Sequence, residues 1–154
     1  GVQRFGVVVS LLLATLSVGA AEQSFTRLGG SVQQLNEPII TSFGAWGVED
    51  SKGLIGHASL SYLDSEAHGG AVALDLGAAL TLPQQPDRVA LFFGGGMLLG
   101  YNFGDTDSGS INSYYPEVGL MLRYADQFGV VISARRHLNL YDEDADVVTI
   151  SILF

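Results

Sequence analysis

Three charged residues, Glu117, Arg123 and Arg135, share a parity that an extended chain turns to one face. Side chains at even spacing on a strand project from the same side. The neighbours on that side include Gly119, Gly129, Ser133 and His137. Asp75 and His57 hold the corresponding side of two other segments. Opposite charges enclosed away from water must pair, because an isolated buried ion is costly. The chemistry expected is therefore one internal network joining Glu117, Arg123 and Arg135, and its second reading is a gated polar conduit.

Two other sets can be assembled on paper into a hydrolytic site: His57, Ser59 and Asp64, and Ser133, His137 and Asp142. Residues two apart on a strand share a face, but catalysis needs nucleophile and base within hydrogen-bond reach and a third group to orient the base. No G-x-S-x-G elbow is present. No enzymatic site is expected. His68 sits in a glycine-rich loop and reads as solvated. The histidines are dispersed and the acidic run Asp142-Glu143-Asp144-Ala145-Asp146 lacks the glycine turn and terminal glutamate of an EF-hand loop, so no metal is expected. Gly94-Gly95-Gly96 precedes no helix and no Gly-Lys-Ser/Thr. It reads as room for a bulky neighbour or as a bend. No cofactor is implied.

The elements that must position these residues are strands. From Gly53 onward the chain alternates cleanly with period two, the signal of strands with unlike faces. Leu54, Leu60 and Tyr62 oppose His57, Ser59 and Ser61; Val72, Leu74, Leu76 and Leu80 oppose Ala71, Ala73, Asp75 and Ala79. Val89, Leu91, Phe93, Met97, Leu99, Tyr101 and Phe103 oppose a smaller set, with Phe92 and Leu98 as exceptions. Val118, Leu120, Leu122 and Tyr124 oppose Glu117, Met121 and Arg123. Phe128, Val130, Ile132, Leu138 and Leu140 oppose Ser133, Arg135, His137 and Asn139. Val148, Ile150, Ile152 and Phe154 oppose Thr149, Ser151 and Leu153. With less regular segments at Ser24–Leu35 and Ile39–Val48, these make eight strands. The separators are turn-like: Asn36–Pro38, Glu49–Gly53, Asp64–Gly70, Pro83–Asp87, Gly104–Asn112, Ala125–Gln127 and Asp142–Asp146.

Composition bounds the partners. The 154 residues carry a formal charge of −9, with a sequence pI near 4.4, which argues against nucleic acid. The absence of cysteine excludes disulfide scaffolds, thiolate zinc sites and thiol nucleophiles. A two-faced barrel fits water with its apolar face inward, or lipid with that face outward. Four features favour lipid. The polar face is rich in Gly, Ala and Ser and poor in long charged residues, as a narrow interior requires. Charge gathers in loops. Aromatics sort to strand ends: Tyr62, Tyr101, Phe103, Tyr114, Tyr115 and Tyr141 at one, Phe25, Trp46, Tyr124, Phe128 and Phe154 at the other. The last strand is among the most apolar.

This arrangement resembles the small eight-stranded bacterial outer-membrane proteins of the OmpA-barrel kind. The hairpin residues Ala71-Val72-Ala73-Leu74-Asp75-Leu76-Gly77-Ala78-Ala79-Leu80-Thr81-Leu82-Pro83, followed by Gly94-Gly95-Gly96, are similar in texture to YfaZ-type outer-membrane proteins. The resemblance implies an assembly signal at Ile150, Ile152 and Phe154, read by the barrel-assembly machinery. Tyr often stands in the family where this chain has Ile152.

Arg4, the apolar stretch Val7–Leu16 and the small residues Ser17–Ala21 describe a cleavable Sec-type signal peptide, cut at Val18-x-Ala20 or Gly19-x-Ala21. The reading at this point is a signal peptide over 1–21 and, over 22–154, an all-β, eight-stranded antiparallel up-and-down transmembrane barrel. Its expected place is the outer membrane of a Gram-negative bacterium, as a monomer contacting lipid and, during insertion, the assembly machinery. Its expected role is structural or porin-like. A lipid-modifying enzyme in the same barrel and a soluble periplasmic lipocalin-like binder are the alternatives.

Overall fold

The computed structural model describes residues 23–32, 38–65, 69–82, 89–103, 108–125, 127–141 and 143–154. The expected signal segment 1–21 and its boundary at Glu22, along with His68 and Asp142, lie outside them. The described residues form β1 (Gln23–Ser31), β2 (Ile39–Glu49), β3 (Leu54–Ser65), β4 (Gly69–Thr81), β5 (Val89–Phe103), β6 (Ser108–Ala125), β7 (Phe128–His137) and β8 (Ala145–Leu153). Each strand pairs antiparallel with the next, and β1 pairs with β8, so the sheet is a closed barrel. Thr26 and Phe154 extend that closure by exchanging two backbone hydrogen bonds, of 2.6 and 2.9 Å. Closure leaves no edge strand.

The alternation read in the sequence sets the two surfaces. Leu60, Tyr62, Val72, Phe93, Tyr101, Val118, Ile132 and Ile150 are exposed on the outside, while His57, Asp75, Glu117, Arg135 and Ser151 are buried inside. The β2–β3 hairpin turns through a single 3₁₀ turn, Asp50–Lys52. It closes at Gly53, whose φ of 62° is left-handed and suits glycine.

The structure differs from the sequence expectation in three places. The turn expected over Gly104–Asn112 is shorter, because β6 already runs from Ser108. Ile111 and Ser113 are buried, so inward alternation continues beyond the last apolar outward residue. β7 ends at His137, and Asn139 takes a left-handed φ of 60°. That kink reverses the parity, so Leu140 is buried rather than outward with Leu138. Phe25, Trp46 and Tyr115 are buried in the lumen and leave the two aromatic rings to residues such as Tyr62, Tyr101 and Phe103 above and Tyr124, Phe128 and Phe154 below.

Candidate functional site

The lumen is stacked in three tiers, and most strands read apolar, polar, apolar along their inward face. The lower tier packs Phe25, Trp46, Val48, Ile55, Phe92, Met121, Val131 and Leu153. The upper tier packs Ile40, Leu63, Leu98, Ile111, Leu140 and Val147, with Tyr141 against it. Leu140 and Tyr141 belong to the β7–β8 loop, which therefore folds over the upper mouth. Burial and the nearby Asp64 carboxylate raise the Tyr141 phenol above its ordinary pKa.

Between the tiers lies the ionic layer. Arg135 is its hub. Its Nε donates to Glu117 Oε2 at 2.5 Å, its Nη1 donates to Asp75 Oδ2 at 2.8 Å, and its guanidinium lies 4.4 Å over the Tyr115 ring. Tyr115 donates its hydroxyl to Asp75 Oδ1. Arg27 Nη1 sits 3.9 Å from Asp75 Oδ2, while its Nε donates to Ser151 at 2.9 Å. Ser133 donates to Glu117 Oε2 at 2.9 Å and meets Thr149 at 2.7 Å. The layer thus balances Arg27 and Arg135 against Asp75 and Glu117, with charge-assisted hydrogen bonds at its hub. His57 stacks on Trp46 at 5.2 Å and places Nε2 3.5 Å from Glu117 Oε1.

Strand β5 brings room rather than charge. A Cβ on Gly96 would collide with the Tyr115 hydroxyl, and one on Gly77 of β4 would collide with the His57 ring. Gly96 of the triplet, together with Gly77, is therefore part of the layer by absence of bulk.

The residues singled out in the sequence separate here. Glu117 and Arg135 meet in the layer, opposite each other in the β6–β7 register. Arg123 does not join them. It lies at the lower mouth, where Nη1 and Nη2 bond Asp50 at 2.9 and 3.1 Å and Nη1 also bonds Gln23 at 3.0 Å. Met121 and the lower tier stand between it and Glu117: shared parity aligned the faces, but six residues along a strand moved it out of the layer. Asp75, Arg27 and Tyr115 complete the layer. Asp75 had the right parity, whereas Arg27 stood in an irregular segment and Tyr115 read as interfacial. Ile150, Ile152 and Phe154 all point outward and are about half exposed.

Among the described residues, the members of the two hydrolase sets are not brought together for proton transfer. Asp64 is exposed at the upper rim while His57 and Ser59 are buried below it. Ser133 bonds Glu117 and Thr149, and His137 packs on the Tyr115 ring at 4.8 Å. Among the described residues no three of His, Asp and Glu come together as a metal-ligand group.

No family model and no curated protein matches the chain. Solved structures do. The N-terminal β-barrel domain of Pseudomonas aeruginosa OprF superposes with a TM-score of 0.64 at 12% identity, over 87% of this chain and 97% of that domain. A de novo designed transmembrane β-barrel superposes at 0.58, also at 12% identity, over 87% of this chain and 95% of the design. The fold is thus an all-β closed barrel of eight antiparallel strands, similar to transmembrane barrels.

Proposed function

We propose that the protein is an integral outer-membrane barrel with a structural, non-enzymatic role, its lumen closed by its own side chains. The observation that carries this is the inversion of its surfaces. Two arginines and two carboxylates are buried, while Leu60, Val118, Phe43 and Tyr101 stand more than half exposed. In water such an exterior would associate; in a bilayer it is the required surface, and closure pairs each strand with a neighbour on both sides. Aromatic residues at both ends of the outer face suit the two headgroup levels. The barrel-like neighbours support the architecture. The apolar tiers above and below the ionic layer support a structural role over a porin-like one, since a conduit would need a continuous polar path. A lipocalin-like binder would need a cavity inside and a polar exterior.

In this reading a Sec-type signal exports the chain, the assembly machinery reads Ile150, Ile152 and Phe154, and the barrel works as a monomer among outer-membrane lipids. The test is cell fractionation with a heat-modifiable gel shift. The expected result is detergent-dependent extraction from the outer membrane and a band that moves on boiling. Release by osmotic shock without detergent would overturn it.

A further inference from the structure

The outer wall is not uniform. On β6, β7 and β8 the outward row Val118, Ala134, Val148 sets a methyl between two valines. Around it lies a hollow of about 340 Å³, lined also by Pro116, Glu117, Arg135, Arg136, Asp146 and Val147. Cavities of roughly 300–1,000 Å³ are the size that holds small ligands. The regular β6–β7 ladder ends at Glu117–Arg135 and returns only as an isolated bridge at Tyr114–Leu138. Pro116 has no N–H to donate across that gap.

The hollow has a polarity. Its lower part is Ala134 and the two valines, within the lipid-facing band. Its upper end carries Arg136, whose Nε lies 3.9 Å from Asp144 and 3.8 Å from Asp146. Those separations exceed hydrogen-bond length, and all three side chains are about half exposed or more. The rim therefore offers one guanidinium flanked by two carboxylates, of which Asp144 already accepts the Asn139 backbone N–H at 3.1 Å. An anionic headgroup would meet the guanidinium and be repelled by both carboxylates. A headgroup carrying phosphate and ammonium matches both signs.

We propose that this hollow binds one zwitterionic phospholipid of the ethanolamine type, with an acyl chain over Ala134, the phosphate on Arg136 and the ammonium between Asp144 and Asp146. A guanidinium can hold phosphate through paired hydrogen bonds, and a primary ammonium has N–H groups for the carboxylates that a quaternary one lacks. The proposal rests on the membrane reading above.

The test uses the purified full chain in mild detergent, titrated with phosphatidylethanolamine, phosphatidylglycerol or phosphatidylcholine, with retained lipid counted by native mass spectrometry. One phosphatidylethanolamine should be retained at about tenfold lower lipid concentration than the other two. Ala134→Leu fills the hollow and Arg136→Gln removes the phosphate partner; each should weaken retention about tenfold, with the gel shift unchanged. Equal retention of the three lipids overturns the headgroup assignment, and full retention by Ala134→Leu overturns the seat. Insertion of the parent into vesicles separates the two readings: a chain that inserts but retains no lipid overturns this inference alone, whereas a chain that never inserts overturns both.

Discussion

Arg135→Ala is the most informative single change. The guanidinium serves two carboxylates at 2.5 and 2.8 Å and covers the Tyr115 ring. Without it the layer passes from charge balance to a net negative charge. Asp75 keeps the Tyr115 hydroxyl and Arg27 at 3.9 Å. Glu117 keeps only Ser133 and the His57 edge at 3.5 Å, so it becomes the stranded ion. Breaking a buried pair in this way costs about 3–5 kcal/mol. With a urea slope of about 1–3 kcal/mol/M, the unfolding midpoint should fall by ~1 M or more. The assay is built in: Trp46 is the sole tryptophan, it is buried in the lumen, and its stacking on His57 makes its fluorescence a reporter of the layer. A cycle then compares the singles Arg135→Met and Glu117→Gln with the double variant carrying both, which leaves Arg27 and Asp75 balanced, by equilibrium unfolding from vesicles. The double variant should cost less than the two singles added, by up to about 3 kcal/mol. An unchanged midpoint for Arg135→Ala, or strict additivity, would refute the network.

Other expectations are sharper in contrast than in isolation. Arg123→Ala should cost under about 1 kcal/mol in the same assay, because its Asp50 partner is half exposed and screened; a loss equal to that of Arg135→Ala would return Arg123 to the layer. Gly96→Ala should destabilise by about 1–3 kcal/mol or more through overpacking against Tyr115. Gly109→Ala, with nothing within 4 Å of the added carbon, should stay within about 0.5 kcal/mol, and equal melting of the two variants would contradict the close packing of β5 on β6. Deleting Phe154 removes its two backbone bonds to Thr26. It should lower the yield of folded barrel in cells far more than the stability of refolded barrel, as measured by outer-membrane yield against urea midpoint; proportionate losses would make Phe154 a plain anchor.

Alternation alone determined much of this protein. A period of two over Leu54–Leu63 or Val147–Phe154 assigns each residue to a face, because successive side chains on a strand must oppose. The segment count, the small-residue interior and the inward placement of Asp75, Glu117 and Arg135 follow from that rule. Parity carries no information about height. It put Arg123 with Glu117, yet only the folded register shows that the lower tier lies between them. It could not place Arg27 or Tyr115, whose roles come from neighbours on other strands: Asp75 and Ser151 for Arg27, Asp75 and Arg135 for Tyr115. Nor could it find the reversal at Asn139 that sends Leu140 into the upper mouth, since a single left-handed residue changes direction without changing composition. The glycines at 77 and 96 are legible as small residues, but what they make room for is a property of closure. Sequence pattern determined which way each side chain faces; the closed barrel decided which of them meet.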